Sequence, residues 1–377
     1  MSVLRLRLEY GTHISLGCRK RFPNLTFRED SPVIMRTLFR GNRRRLAPVA
    51  LAATAFLAAG SLVACSDDDD SSTDGDTRTV TDARGEVEIH ADPQRVAAFD
   101  NRIFQVLEDW DIDLVSAPVT LIPDSITKYH DDTDIHDTGS HREPNLEELV
   151  AADPDLIITG YRYSSQYDEM KELLPDTPIL DLSFDKDLES TDEDAPATQS
   201  TEDTLKDITS LIGEVFDKND EAEDLISAFD EAKDRGKEAY NSDETVMGLV
   251  TSGGDINYAA PSTGRSVGPI FDMLGLTPSY DHEGSTNHQG DDISVEAIAD
   301  SRPDWIIVLD RDAAVSADEP EYHSAQELIA DSEALKNVPA VQDDHIILLP
   351  NDFYTTEDIE AYTEVLNSVA DAFEAAK

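Results

Sequence analysis

Cysteine is nearly absent from this chain: Cys18 and Cys65 are the only two in 377 residues, so the region beyond residue 65 folds without a disulfide. Basic residues are scarce as well. Of the 30 Lys+Arg, 11 lie in the first 65 residues beside only 3 acids, which leaves residues 66–377 with 19 bases against 77 acids, a formal charge of -58. Such a surface repels nucleic acid and anionic lipid headgroups. It also points to a saline setting, where repulsion between exposed carboxylates is screened beyond about 10 Å. No nucleophile elbow, Gly-rich phosphate loop or HExxH occurs, so nothing in the sequence marks an enzyme. The expectation is a non-enzymatic protein with no intrinsic cofactor.

The basic leader is a targeting segment. From Met35, the expected true start, it reads MRTLFRGNRRRLAPVALAATAFLAAGSLVAC: an arginine cluster, an apolar run and a small-residue end. Its last four residues, LVAC, resemble a lipoprotein lipobox, which would make Cys65 the diacylated N-terminus of the mature chain. An uncleaved anchor is the alternative, since the run nearly spans a bilayer; Pro48 and the cysteine placed where the run stops favour the lipobox. Residues 1–64 are thus read as leader and signal peptide, and residues 65–80, opening with SDDDDSSTDGD, as a disordered acidic linker. The bulk of the protein is expected outside the cytoplasm, tethered to the outer face of the cytoplasmic membrane.

From residue 81 strands alternate with amphipathic helices, an α/β pattern in a chain long enough for two cores. Strands are expected at 95–99, 156–159, 179–182, 246–251, 305–309 and 346–349. A phrase recurs within this pattern: residues 145–162 and 294–311 share six of eighteen positions, Glu147/Glu296, Pro154/Pro303, Asp155/Asp304, Ile157/Ile306, Ile158/Ile307 and Arg162/Arg311. Chance alone gives about one, so the chain contains an internal duplication. Between the copies lie an acidic insertion at 189–200 and an apolar stripe at Leu205, Ile208, Leu211 and Val215. A long helix over 216–240 follows. The lobes expected are 81–215 and 241–377, each a Rossmann-like sheet flanked by helices, with residues 216–240 as a rigid connector. Ligands of open parallel sheets bind beyond the strand C-termini. Arg162 and Arg311 lie there, facing one cleft if the lobes face each other.

The stretches EPNLEELVAADPDLIITGYRYSSQYDEM, TSGGDINYAAPSTGRSVGPIFDMLGL, STNHQGDDISVEAIADSRPDWIIVLDR and HIILLPNDFYTTEDIEAY resemble the substrate-binding lipoproteins of iron-siderophore ABC transporters. The likeness is to the class with a single connecting helix and, within it, to the branch binding ferric catecholates of the petrobactin type. It implies that Arg162, Arg265 and Arg311 hold catecholate oxygens and that His288 and Tyr354 complete iron coordination. It also implies that Glu147 and Glu296 dock onto a permease dimer served by its ATPase. The protein would act as a monomer whose ligand is an Fe(III)-siderophore.

Arginine suits such a ligand because its planar fork stays charged and donates directed hydrogen bonds. The other readings stay open at this stage. Each arginine could be an ordinary surface ion pair, His288 a solvated loop histidine, and Tyr354 a stacking surface. Tyr161, Tyr163 and Tyr167 could pack on catechol rings or within a lobe; Tyr163 is taken as ligand-binding. Glu147 and Glu296 could simply favour a helix N-terminus, and Glu143 is a substitute for the former. His130, His136 and His141 lie among acids and could ligate Zn or Mn, but no tight helical or Cys-based spacing supports them, and an acidic loop is the favoured description. Haem, a hydroxamate siderophore, cobalamin or a bare metal ion are alternative cargoes for the same scaffold.

Overall fold

The computed structural model describes residues 76–188, 197–280, 282 and 284–377. The leader, Cys65, residues 65–75 of the linker and residues 189–196 of the insertion lie outside the described residues.

The chain opens on an antiparallel hairpin, β1 (Thr77–Asp82) and β2 (Gly85–His90). This corrects the reading of residues 77–80 as linker. Its cause is a short alternation that buries Val80 and Asp82, plus a polar anchor: Asp82 Oδ1 accepts from the N–H groups of Arg84 and Gly85, and Oδ2 from the N–H of Asp181. The anchor ties the hairpin to the first sheet, whose strands are β3 (Val96–Ala98), β4 (Leu114–Ala117), β5 (His136–Asp137), β6 (Leu156–Thr159) and β7 (Ile179–Asp181). They run parallel in the order β5-β4-β3-β6-β7. The second sheet holds β8 (Val246–Ser252), β9 (Asp255–Tyr258), β10 (Trp305–Asp310) and β11 (Ile346–Leu348), in the order β11-β10-β8-β9 with β9 as the antiparallel edge. Every residue of β6, β8 and β10 is buried, as parallel strands covered on both faces require.

The repeated phrase folds the same way twice. A helix, Leu146–Ala152 or Val295–Ser301, ends on a left-handed residue, Asp153 at φ 49° or Arg302 at φ 50°. Proline follows, where it stops the helix from continuing. Next the aspartate clamps the start of the neighbouring strand. Asp155 accepts from the N–H groups of Gln94 and Arg95 at 2.9 Å each, and Asp304 from the N–H and hydroxyl of Thr245 at 2.8 and 3.0 Å. The chain then enters β6 or β10, and the arginine comes just past the strand.

Ser200 caps the helix Thr201–Val215 by accepting from the N–H of Asp203, and Asp217, at φ 56°, breaks it from the helix Asn219–Ala239. That second helix has 21 residues, about 30 Å at 1.5 Å per residue. Ala222, Phe229, Ala232, Gly236 and Ala239 line its buried stripe. Gly236 is needed there because a Cβ would sit 2.6 Å from a methyl of Leu274. Lys206 and Lys233 both reach Glu202 and Asp230, which binds the two helices together. Arg235 pairs with Asp371 and Glu374 of the last helix, Ile359–Ala375, whose Tyr362, Val365, Leu366, Val369 and Phe373 enter the core. No helix of the described residues is long and apolar enough to cross a membrane.

Candidate functional site

The two halves meet at the stretch that follows β11. Past Pro350 the chain makes one helical turn, Phe353–Thr356, stops on Glu357 at φ 50°, and restarts under Asp358, whose carboxylate caps the last helix by accepting from the N–H of Ala361. Four residues of the first half donate to this strap, Tyr161 through its hydroxyl to Glu357 and three others. Asn101 Nδ2 reaches the Thr355 carbonyl at 2.9 Å, Ser125 Oγ reaches Asp352 Oδ2 at 2.8 Å, and Arg162 Nη2 reaches the Tyr354 carbonyl at 3.3 Å.

Tyr354 is the centre of the site. Its ring is 5% exposed and has three guanidinium carbons around it: Arg265 at 4.6 Å, Arg311 at 5.1 Å and Arg162 at 5.5 Å from the centroid. Three cations from three separate segments thus surround one electron-rich ring, at distances a cation–π contact allows. Arg162 is the second residue of the short 3-10 helix Tyr161–Gln166 after β6, Arg311 is the first residue of the helix after β10, and Arg265 lies in the loop before the helix Gly268–Leu274. The two duplicated arginines and the third, expected from sequence, are brought together with Tyr354. Surface pairing does not describe them.

Their charges are not equally free. Arg265 donates through Nη2 to Glu357 Oε2 at 2.6 Å and through Nε to Oε1 at 3.4 Å. Arg311 donates to Ser252 Oγ at 3.2 Å and has Asp312 at 3.6 Å. Arg162 has no carboxylate partner among the described residues. The Nε–H groups of Arg162 and Arg311 are enclosed and have no acceptor among the described residues.

Glu357 was not expected from sequence, where it stands three residues after Tyr354 with no motif around it. It is buried and also accepts from Tyr161 Oη at 3.0 Å and Ser266 Oγ at 2.6 Å, so one carboxylate joins a residue of the first half to two of the second. Burial pushes its carboxyl up, but the Arg265 charge, hydrogen bonds from Arg265 and Ser266, and the Arg162 charge outweigh burial and hold it below the usual carboxylate range. Tyr161 lies between this carboxylate and the buried Arg102–Asp100 pair, with the Arg102 guanidinium 4.8 Å from its ring. Its neighbour Gly160 has no room for a side chain, since a Cβ would meet Asp100 Oδ2 at 2.6 Å.

His288 lies in the loop 284–291, which Asp291 holds by accepting from the N–H and hydroxyl of Ser285 at 2.8 and 2.6 Å. Its imidazole is shifted below the ordinary value by burial and then by Arg311, Arg265, Arg142 and Arg162, which puts it within the field of both walls. His141 feels burial and then Arg162, Arg142 and Arg265 in the same sense, and its Nδ1 is enclosed without a partner. Neither His141 nor the exposed Arg142 was expected near the arginines.

One reading needs correction and one rival is set aside. Tyr163 is not a ligand-facing residue: it is fully buried, donates its hydroxyl to the Gly139 carbonyl and packs on Phe99 at 5.3 Å, because the tight turn after Gly160 sends Tyr161 toward the strap and Tyr163 into the first-half core. The three histidines are not a metal cluster either. His130 pairs with Asp124 and His136 with Glu148, and no group of three metal-ligating side chains exists among the described residues. Tyr167 lies away from the site beneath Arg84, 3.7 Å from the guanidinium. Glu147 and Glu296 are exposed on the first turns of equivalent helices, and Glu143 is exposed nearby.

Residues 96–353 match the periplasmic binding protein family. The chain is 28% identical over 291 residues to the petrobactin-binding protein YclQ of Bacillus subtilis, covering 76% of this chain and 84% of that protein. It is 27% identical over 256 residues to the ferric-anguibactin-binding protein FatB of Vibrio anguillarum, covering 67% and 75%. The crystal structure of the periplasmic catecholate-siderophore binding protein VctP from Vibrio cholerae superposes with a TM-score of 0.63 at 21% identity, covering 80% of this chain and all (100%) of that one.

Proposed function

The chain belongs to the periplasmic binding protein family, and from that premise we propose that it captures a ferric catecholate siderophore between its two halves and delivers it to an ABC importer. The observation that carries the reading is the convergence of Arg162, Arg265 and Arg311 on Tyr354, in a protein whose surface is otherwise strongly acidic. A ferric catecholate spreads negative charge over ring oxygens. Guanidinium donors enclosed from water match it at roughly 1.5–3 kcal/mol per charge-assisted bond. The relatives named for petrobactin and ferric anguibactin support an iron-chelate cargo.

In this reading Arg162 and Arg311 hold the ligand oxygens through their guanidinium donors. Arg265 shapes the floor, and Tyr354 and His288 supply an oxygen and a nitrogen to iron when the chelator leaves positions open. Ferric iron is hard and takes the phenolate readily; a neutral imidazole is the competent form of His288, and the surrounding arginines favour it. Glu147 and Glu296, exposed and duplicated, dock onto the two-fold permease dimer. Lipidated Cys65 anchors the protein to the outer face of the cytoplasmic membrane, residues 65–75 serve as leash, and the protein works as a monomer without enzymatic activity.

Quenching of Trp110 and Trp305 fluorescence, titrated with ferric catecholates, ferric hydroxamates, haem, cobalamin and Zn, tests the assignment. Submicromolar binding of ferric catecholates alone is expected. Selective tight binding of haem, a hydroxamate, cobalamin or zinc overturns it.

A further inference from the structure

Resting on that reading of the cleft, we propose that Glu357 sets the charge of the binding site and so decides which anionic chelates it accepts. Three arginines surround Tyr354, but Glu357 sits 2.6 Å from Arg265 and Asp312 sits 3.6 Å from Arg311. Behind them Arg102 is balanced by Asp100 at 2.7 Å. Arg162 alone of the three has no carboxylate beside it among the described residues. The well is therefore far less positive than three arginines suggest. Of the two acids, Glu357 is the buried one; its two oxygens are taken by Arg265, Tyr161 and Ser266, so it is fixed in place and cannot swing aside for a ligand.

The consequence is selectivity by charge. A ferric ion held by two catecholates carries a single negative charge, and one held by three catecholates carries three. A fixed buried carboxylate repels the second chelate far more than the first, because the interaction scales with ligand charge and is weakly screened where water is excluded. Glu357 is a positioning residue too, since it orients Arg265 and Tyr161, but position alone would affect both chelates alike.

The experiment compares two preformed iron complexes of fixed denticity, a tetradentate bis-catecholate and a hexadentate tris-catecholate, by tryptophan quenching. Wild-type protein sets the reference affinity ratio. Glu357→Gln shifts the affinity ratio toward the tris-catecholate by about tenfold, Arg265→Gln shifts it the other way, and the double variant returns it to the wild-type value. Glu357→Asp, which keeps the charge and shortens the reach, leaves the ratio where it was. Equal loss of both chelates in Glu357→Gln, or an unmoved ratio, overturns the proposal while the cargo assignment stands. Should Glu357→Gln fail to fold, the opposite shift in Arg265→Gln still decides the matter, and its absence counts against the inference. Wild-type protein that binds neither complex removes the cargo assignment and this inference with it.

Discussion

The two copies of the repeated phrase agree up to the end of their strands and part company just beyond. Before that point each aspartate clamps a neighbouring strand, each helix stops on a left-handed residue, and each strand is wholly buried. After it, the residue preceding the arginine differs. In the first half it is Tyr161, which forms a wall of the site and reaches Glu357. In the second it is Asp310, which is buried and accepts from Tyr322 Oη, the N–H of Ala325 and the hydroxyl of Thr251, a structural bolt rather than a cleft surface. A duplicated scaffold can thus hold two arginines in equivalent places and still give them unequal surroundings: Arg162 without an ion-pair partner among the described residues, Arg311 beside Asp312.

The largest effect that sharpens this comparison is on ligand affinity. Arg162→Ala and Arg311→Ala each remove about 1.5–3 kcal/mol of charge-assisted bonding, a loss of about ten- to hundredfold, and together at least about a hundredfold. Arg162→Ala is expected to be the costlier because Arg162, unlike Arg311, has no ion-pair partner among the described residues. Fluorescence titration of the three variants measures both points, and equal insensitivity would break the comparison. Next comes transport: Glu147→Arg and Glu296→Arg each lower iron uptake by about tenfold through like-charge contact with the permease, while the dissociation constant of the purified protein stays unchanged. A difference between the two sites would show that the permease reads the halves unequally. Smaller again is the shared clamp. Asp155→Ala and Asp304→Ala each remove two hydrogen bonds and cost about 0.5–1.5 kcal/mol, and thermal unfolding should show the larger loss at Asp304, whose bonds are part-buried where those of Asp155 are exposed.

The smallest effect lies in the strap between the halves. Burial pushes the Asp358 carboxyl up to about 7, with hydrogen bonds from the N–H groups of Ala361 and Glu360 opposing and Asp352 and Asp109 reinforcing; Glu360 is raised to about 8 by burial, Asp358 and Asp109. Folded acids with raised values bind protons that the unfolded chain has already released. Their contribution to stability is therefore complete below the unfolded range near 4 and declines as pH rises toward about 7 to 8. Unfolding curves from pH 5 to 8 should fall more steeply for wild-type protein than for Asp358→Asn or Glu360→Gln. A parallel slope in all three would contradict it.

Strands buried on both faces were legible in the sequence because continuous apolar runs bounded by turns admit few other readings, and β6 falls on residues 156–159 as expected. The hairpin and the short strands β4, β5 and β9 were not, since segments of two to six residues, most of them rich in polar side chains, carry little periodic signal. The arginines could be found because two are duplicated and acids outnumber bases so heavily that each inward cation stands out. Glu357 had the opposite problem: one more glutamate among 77 acids has no local mark, and its role arises from a left-handed turn that only the folded strap displays. Tyr163 was misplaced for a related reason, because adjacent tyrosines on a tight turn point to different sides and the sequence does not say which.

The central claim is that both halves hold one iron chelate through the duplicated arginines. Diffraction from crystals grown with a ferric bis-catecholate tests it directly. The expected result is one ligand over the Tyr354 ring, with Arg162 and Arg311 each donating to oxygens of that molecule. A ligand bound elsewhere, or one touched by only one of the two arginines, would contradict it.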